Sequence, residues 1–109
     1  MVASQSTILP SAGVLSHAEA SRLADLATRS SGNPVIVLDL SRCEEASTAA
    51  FARFVLLRRA LRARGRDLRL AGLRGQPARL FEVHRLANVL PTLPERKFTA
   101  LSARGSATA

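Results

Sequence analysis

The run Val35-Ile36-Val37-Leu38-Asp39-Leu40 constrains this chain more than any other segment. It is apolar at nearly every position and rich in β-branched residues, so it lacks the alternation of a half-exposed strand. A strand buried on both faces reads this way, which implies a central strand with helices packed around it. The chain has 109 residues, 47% of them apolar. That is room for one domain with one hydrophobic core, and the composition argues against intrinsic disorder.

The segments on either side supply the rest of an alternating pattern. Thr7 to Pro10 is a short extended stretch, and Ser11-Ala12-Gly13 is a turn. Ser16 and Glu19 have the spacing of a capping box, and Ala20, Leu23, Ala24 and Ala27 repeat at helical spacing behind them. This predicts a helix from about His17 to Arg29. After the central strand and a polar loop, Arg42 to Ala46, a long amphipathic helix is expected from Ser47 to about Arg64. Ala50, Phe54, Leu57 and Leu61 form its apolar stripe, and Gly65 ends it in a left-handed turn. Asp67 to Leu73 alternates as another strand. A third helix, with Pro77 near its first position, runs to about Leu86 and turns Leu80, Phe81 and Val83 or His84 toward the core. Val89-Leu90 starts a last short strand, and a weak helix from Lys97 (Phe98, Leu101) follows. Residues 1–5 and 105–109 are expected to be flexible, leaving one domain over 6–104. The expected class is therefore α/β, with a β-α-β-α-β-α-β order, largely parallel strands and right-handed crossovers.

The residues offer little chemistry. An enzyme needs a nucleophile with a base, paired carboxylates, or a cradle for a metal or cofactor. His17 and His84 have no sequence neighbours that would complete a triad, and Glu44-Glu45 is an adjacent pair on a loop. The glycines are too scattered for a nucleotide-binding fingerprint. One cysteine, Cys43, and two histidines cannot build a zinc site. No enzyme, metal or cofactor is expected. The net charge of +8 rests on arginine apart from Lys97. A GC-rich genome produces that bias without functional pressure, and there is no tryptophan or tyrosine on which bases would stack. A specific nucleic-acid partner is therefore not expected. No apolar run is long enough to span a bilayer, and no signal pattern follows Met1 to Gln5, so direct membrane insertion is not expected and the cytoplasm is the expected address.

One feature points to function. Ser47 and Thr48 open the long helix just beyond the carboxyl end of the central strand. Ser47 suits an N-cap, whereas a hydroxyl in the first turn also suits phosphorylation, which the helix dipole favours.

Five segments in register carry a resemblance: Asp39-Leu40-Ser41, Ser47-Thr48-Ala49-Ala50, Leu61-Arg62-Ala63-Arg64-Gly65, Leu68-Arg69-Leu70-Ala71-Gly72-Leu73 and Arg79-Leu80-Phe81-Glu82-Val83. Over roughly residues 7 to 95 the chain resembles the STAS domain (sulfate transporter and anti-sigma factor antagonist). The family's long helix opens with Asp-Ser-Ser-Gly. Here Ser47 stands in place of the aspartate, Thr48 at the residue that accepts phosphate, and Ala49-Ala50 in place of Ser-Gly. The resemblance implies a non-enzymatic regulatory module that binds a protein. Its partner would be an anti-sigma factor of the GHKL-kinase type, released when Thr48 is phosphorylated. The alternative, which it resembles nearly as well, is a small accessory subunit held on the ATPase of a lipid-transporting ABC system. In either case the implied contact patch is Ser41, Ser47, Thr48, Ala49, Ala50 and Arg53.

Overall fold

The computed structural model describes residues 6–30 and 33–93. Strands β1 (Ser6–Pro10), β3 (Val35–Asp39) and β5 (Asp67–Ala71) form a parallel sheet in the order β1-β3-β5. The apolar run is thus the central strand, as its composition requires. A second, two-residue parallel ladder joins β2 (Val14–Leu15) to β4 (Glu45–Ala46). One side of this ladder, β4, lies in the expected polar loop, and the other falls between the expected turn and the cap of the first helix, because two residues are too few to carry a period.

Helices α1 (His17–Arg29) and α2 (Thr48–Arg62) pack on one another and on one face of the sheet. Between them lies the main core, with Leu23, Ile36, Leu38, Phe54, Leu57, Leu61, Leu68 and Leu70 essentially inaccessible to solvent. Val37 and Ala71 are buried on the opposite face beside Ile8, Val35 and Leu93, and no residue of the three helices joins this second cluster. The expected wrapping by helices therefore holds for one face among the described residues.

Capping accounts for where the helices begin. Ser16 Oγ accepts from the Glu19 amide at 3.2 Å, which is one half of a capping box. The other half is not made, because the Glu19 carboxylate is used elsewhere: it accepts from the Ala12 amide at 2.9 Å and pairs with Arg22 at 2.7 Å. The Arg22 hydrogen bond holds the Glu19 carboxyl below its ordinary range. At the end of α2, Gly65 has φ +76°, as a left-handed terminator does.

The third helix departs from expectation. α3 spans Gly75–Val83, so Pro77 is its third residue, still within the turn whose amides need no partner. It stops short of Leu86, and a 3₁₀ turn at Leu86–Asn88 follows. Phe81 is buried, Leu80 is half-buried, and His84 is exposed, while Val83 is 74% exposed and contributes nothing to the core. Val83 lies two residues round the helix from Phe81 and so faces solvent, while the left-handed backbone of Arg85 (φ +51°) ends the helix and turns the chain away before Leu86. The expected last strand reduces to one parallel bridge, Leu70 with Thr92. The helix expected from Lys97 and both termini lie outside the described residues.

One ion cluster ties α2 to β5. Asp67 accepts from Arg58 at 2.9 Å and lies 3.3 Å from Arg69. Burial pushes the Asp67 carboxyl up, but the Arg58 hydrogen bond, the Leu68 amide and the charges of Arg58 and Arg69 outweigh it and hold it low. A carboxyl lowered on folding stabilises the fold at pH values above its unfolded value of about 4, and that contribution is lost as pH falls through the lowered folded value. Asp67→Asn is therefore expected to cost about 1–3 kcal/mol at neutral pH. It is also expected to flatten the acid limb of stability, measured by urea unfolding across pH.

Candidate functional site

The carboxyl ends of the parallel strands gather the residues of interest. β3 ends at Asp39, whose carboxylate accepts from the Ser41 amide at 3.0 Å and so turns the chain out of the sheet. Arg74, beyond β5, donates twice to the Ser41 carbonyl, at 3.1 and 2.7 Å. Gly72 packs directly against the Ser41 backbone. The half-buried Ser41 is thus fixed between β3 and the β5–α3 connection.

The segment that leads into α2 is held by a side chain the sequence did not reveal. The Gln76 amide accepts from Ala46 N at 2.8 Å and donates to Ala46 O at 3.1 Å, standing in for a neighbouring strand. A lone glutamine in the first turn of a helix carries no local signal of such a role. Gln76→Ala leaves both backbone groups of the buried Ala46 without these partners. It is expected to lower stability by about 1–3 kcal/mol, as read by thermal or urea unfolding, while Gln76→Glu keeps only the acceptor and falls between the two.

Ser47 is the N-cap of α2: its Oγ accepts from the Ala50 amide at 3.1 Å. Thr48, the first helical residue, is exposed, and among the described residues its hydroxyl has no hydrogen-bond partner. The two hydroxyls therefore divide the work: one is spent on the cap and the other faces solvent. Ala49 is exposed and Arg53 is half-buried on the same leading half of the helix. Ala50 is different. It has no accessible surface and belongs to the core, so it is removed from the expected contact patch. Its place at the start of the apolar stripe already put it there.

Beside Thr48 runs a groove with an apolar lining, walled by Ala52, Val55 and Leu56 of α2 and by His84 and Leu86 beyond α3. Leu56 is 54% exposed. The expected patch did not include this groove, because the short stretch after α3 carries no pattern that would fold it back onto α2. The remaining candidates for chemistry are dispersed. Cys43 is buried, donates from Sγ to the Glu45 carbonyl at 3.3 Å, and burial raises its thiol pKa, so the reactive thiolate is disfavoured. Among the described residues, no three of His, Cys, Asp and Glu are placed to hold a metal ion.

A family model described as "Mlab, STAS domain" matches residues 3–93. The chain belongs to the STAS domain family. The solved structure of a sulfate transporter family protein from Wolinella succinogenes has the same fold: TM-score 0.70 at 16% identity, covering 84% of this chain and 78% of that one. No curated protein matches the chain. As a STAS domain it is an α/β module of a family that in general mediates protein–protein contacts and is not catalytic. Among its described residues, no helix is long and apolar enough to cross a membrane.

Proposed function

We propose that this STAS domain is a non-enzymatic, cytoplasmic regulatory module that docks a protein partner through the β3–α2 loop and the leading half of α2. It would do so in the manner of an anti-sigma-factor antagonist. One observation carries the reading: Thr48 is exposed, is not consumed by the cap, and stands at the rim of the groove formed by Ala52, Val55, Leu56 and Leu86. A partner that dries this groove gains apolar burial. Ser41, Ser47, Ala49 and Arg53 complete the contact. Phosphate on Thr48 brings about two negative charges to the edge of a desolvated surface and drives the partner off.

A second reading, an accessory subunit held on the ATPase of a lipid-transporting ABC system, is favoured by a different observation. The first turn of α2 contains no acidic residue, since Ser47 replaces the aspartate of the switch motif. A site without that carboxylate suits standing association better than regulated release.

Titrating a GHKL-type kinase domain and an ABC ATPase with wild type, Thr48→Glu and Thr48→Ala tests both readings. A partner switch predicts kinase binding that Thr48→Glu weakens about 30-fold or more, in line with a charge forced into a desolvated contact, while Thr48→Ala stays near wild type. Equal affinities of the two variants remove Thr48 from the mechanism. Capture of the ATPase whatever stands at position 48 selects the accessory reading.

A further inference from the structure

Among the described residues, the positive charge is concentrated at the end of the domain opposite Thr48. Because the strands are parallel, the amino ends of β3 and β5 (Val35 beside Asp67) and the carboxyl ends of α1 and α2 lie together. Arg29, Arg59, Arg62 and Arg64 are exposed there, with Arg58, Arg66 and Arg69 among them; the nearby acids are Asp25 and Asp67. The rest of the described chain is close to neutral, with Arg22, Arg42, Arg53, Arg74, Arg79 and Arg85 against Glu19, Asp39, Glu44, Glu45 and Glu82.

Structural duty explains only part of this pole. Arg66 donates to the carbonyls of Asn33 and Ala27, at 3.0 and 3.4 Å, closing the end of α1. Arg58 and Arg69 serve Asp67, and Arg62 reaches it at 4.0 Å. Arg29, Arg59 and Arg64 have no such partner among the described residues. Basic residues in a last turn complement the helix dipole, but guanidinium groups crowded around two carboxylates repel one another until an anionic surface faces them.

We infer that this pole is a peripheral docking surface for an anionic phospholipid membrane. Its form fits a plane better than a polynucleotide. Phe51, Phe54 and Phe81 are in the core, so no described aromatic is available for base stacking. Leu26 is 38% exposed, one turn from Arg29 on α1, so an apolar side chain lies beside a basic one unpaired among the described residues, as in helices that rest at a membrane interface. α2 is about 22 Å long, so a partner at Thr48 and a membrane at the arginine pole do not compete for space.

The test is co-sedimentation of the full chain with vesicles of phosphatidylcholine alone or mixed with phosphatidylglycerol, at low and high salt. The chain is expected to bind only the anionic vesicles and to be released by salt. Arg29→Gln/Arg59→Gln/Arg64→Gln should lower partitioning about 100-fold, at about fivefold per arginine near a charged surface. The matched triple Arg42→Gln/Arg79→Gln/Arg85→Gln should leave it within a few-fold, and circular dichroism reports that both variants fold. Equal losses in the two triples would make net charge the cause and overturn the site. So would binding to neutral vesicles, no vesicle binding at all, or displacement from anionic vesicles by random-sequence duplex DNA.

Discussion

Gly72→Val is expected to cost more than about 4 kcal/mol, enough to unfold much of a domain whose total stability lies in the usual 5–15 kcal/mol range. Two effects add. Gly72 has φ +77°, a left-handed backbone that costs a residue with a Cβ about 1–2 kcal/mol. A Cβ at this position would also stand 2.7 Å from Ser41 N, 2.8 Å from Ser41 Cβ and 2.9 Å from Ser41 Cα. These atoms cannot swing aside, because Ser41 is held by Asp39 and Arg74, and the preceding Leu40 amide donates to the Ala71 carbonyl at 2.8 Å. Gly72→Ala is expected to lose about 2–4 kcal/mol by the same two effects. Gly65 is the internal control: its φ is +76°, but nothing lies within 4 Å of its added Cβ. Gly65→Ala therefore carries the conformational cost alone, about 1–2 kcal/mol. Urea unfolding of the three variants separates clash from conformation, and equal costs at positions 65 and 72 would contradict the close approach described here.

The second large effect is expected at Phe54, which has no accessible surface and meets Phe51 edge to face, with ring centroids 6.3 Å apart. Phe51 in turn reaches Phe81 of α3 at 6.0 Å, so the three rings couple α2 to the helix that leads into the far wall of the groove. Phe54→Ala removes a ring from a packed interior and is expected to cost about 3–5 kcal/mol. Phe54→Leu keeps most of the volume and should cost about 1.5 kcal/mol or less. Leu56, two residues further along, faces solvent and the groove. Leu56→Ala is expected to change stability by no more than about 0.5 kcal/mol and to weaken partner binding instead. A stability loss at Leu56 comparable to that at Phe54 would mean that α2 is rotated relative to this description.

What was legible in the sequence and what was not divide along a physical line. β3, α1 and α2 could be read because an unbroken apolar run or a stripe repeating at 3.6 residues reports burial locally, and Ser16, Ser47 and Gly65 mark the ends by their own chemistry. The fold family was legible for the same reason: its motifs lie on those elements. The stretch after β5 was misread where tertiary contacts overrule local pattern. Leu80, Phe81 and Val83 suit a continuing helix, yet Arg85 takes a left-handed conformation without the glycine that normally announces one, and Val83 is left in solvent. Gln76, whose amide completes a strand pairing thirty residues back, is invisible to any reading of spacing. Within the candidate site, Thr48 was found by its place in the first helical turn. The groove beside it was missed because its far wall, His84 and Leu86, comes from the short stretch after α3. Ala50 was drawn into the contact patch by adjacency in sequence, although it shares the buried stripe with Phe54 and Leu57.

Amide hydrogen exchange of the chain, free and bound to the protein with which it copurifies, addresses the docking claim most directly. The amides of Thr48 to Leu56 and of His84 to Leu86 are predicted to slow on complex formation, while the Arg59 to Asp67 end keeps its free rate. Protection confined to that arginine-rich end or to the outer edge of β1, with the leading half of α2 unchanged, would contradict the account.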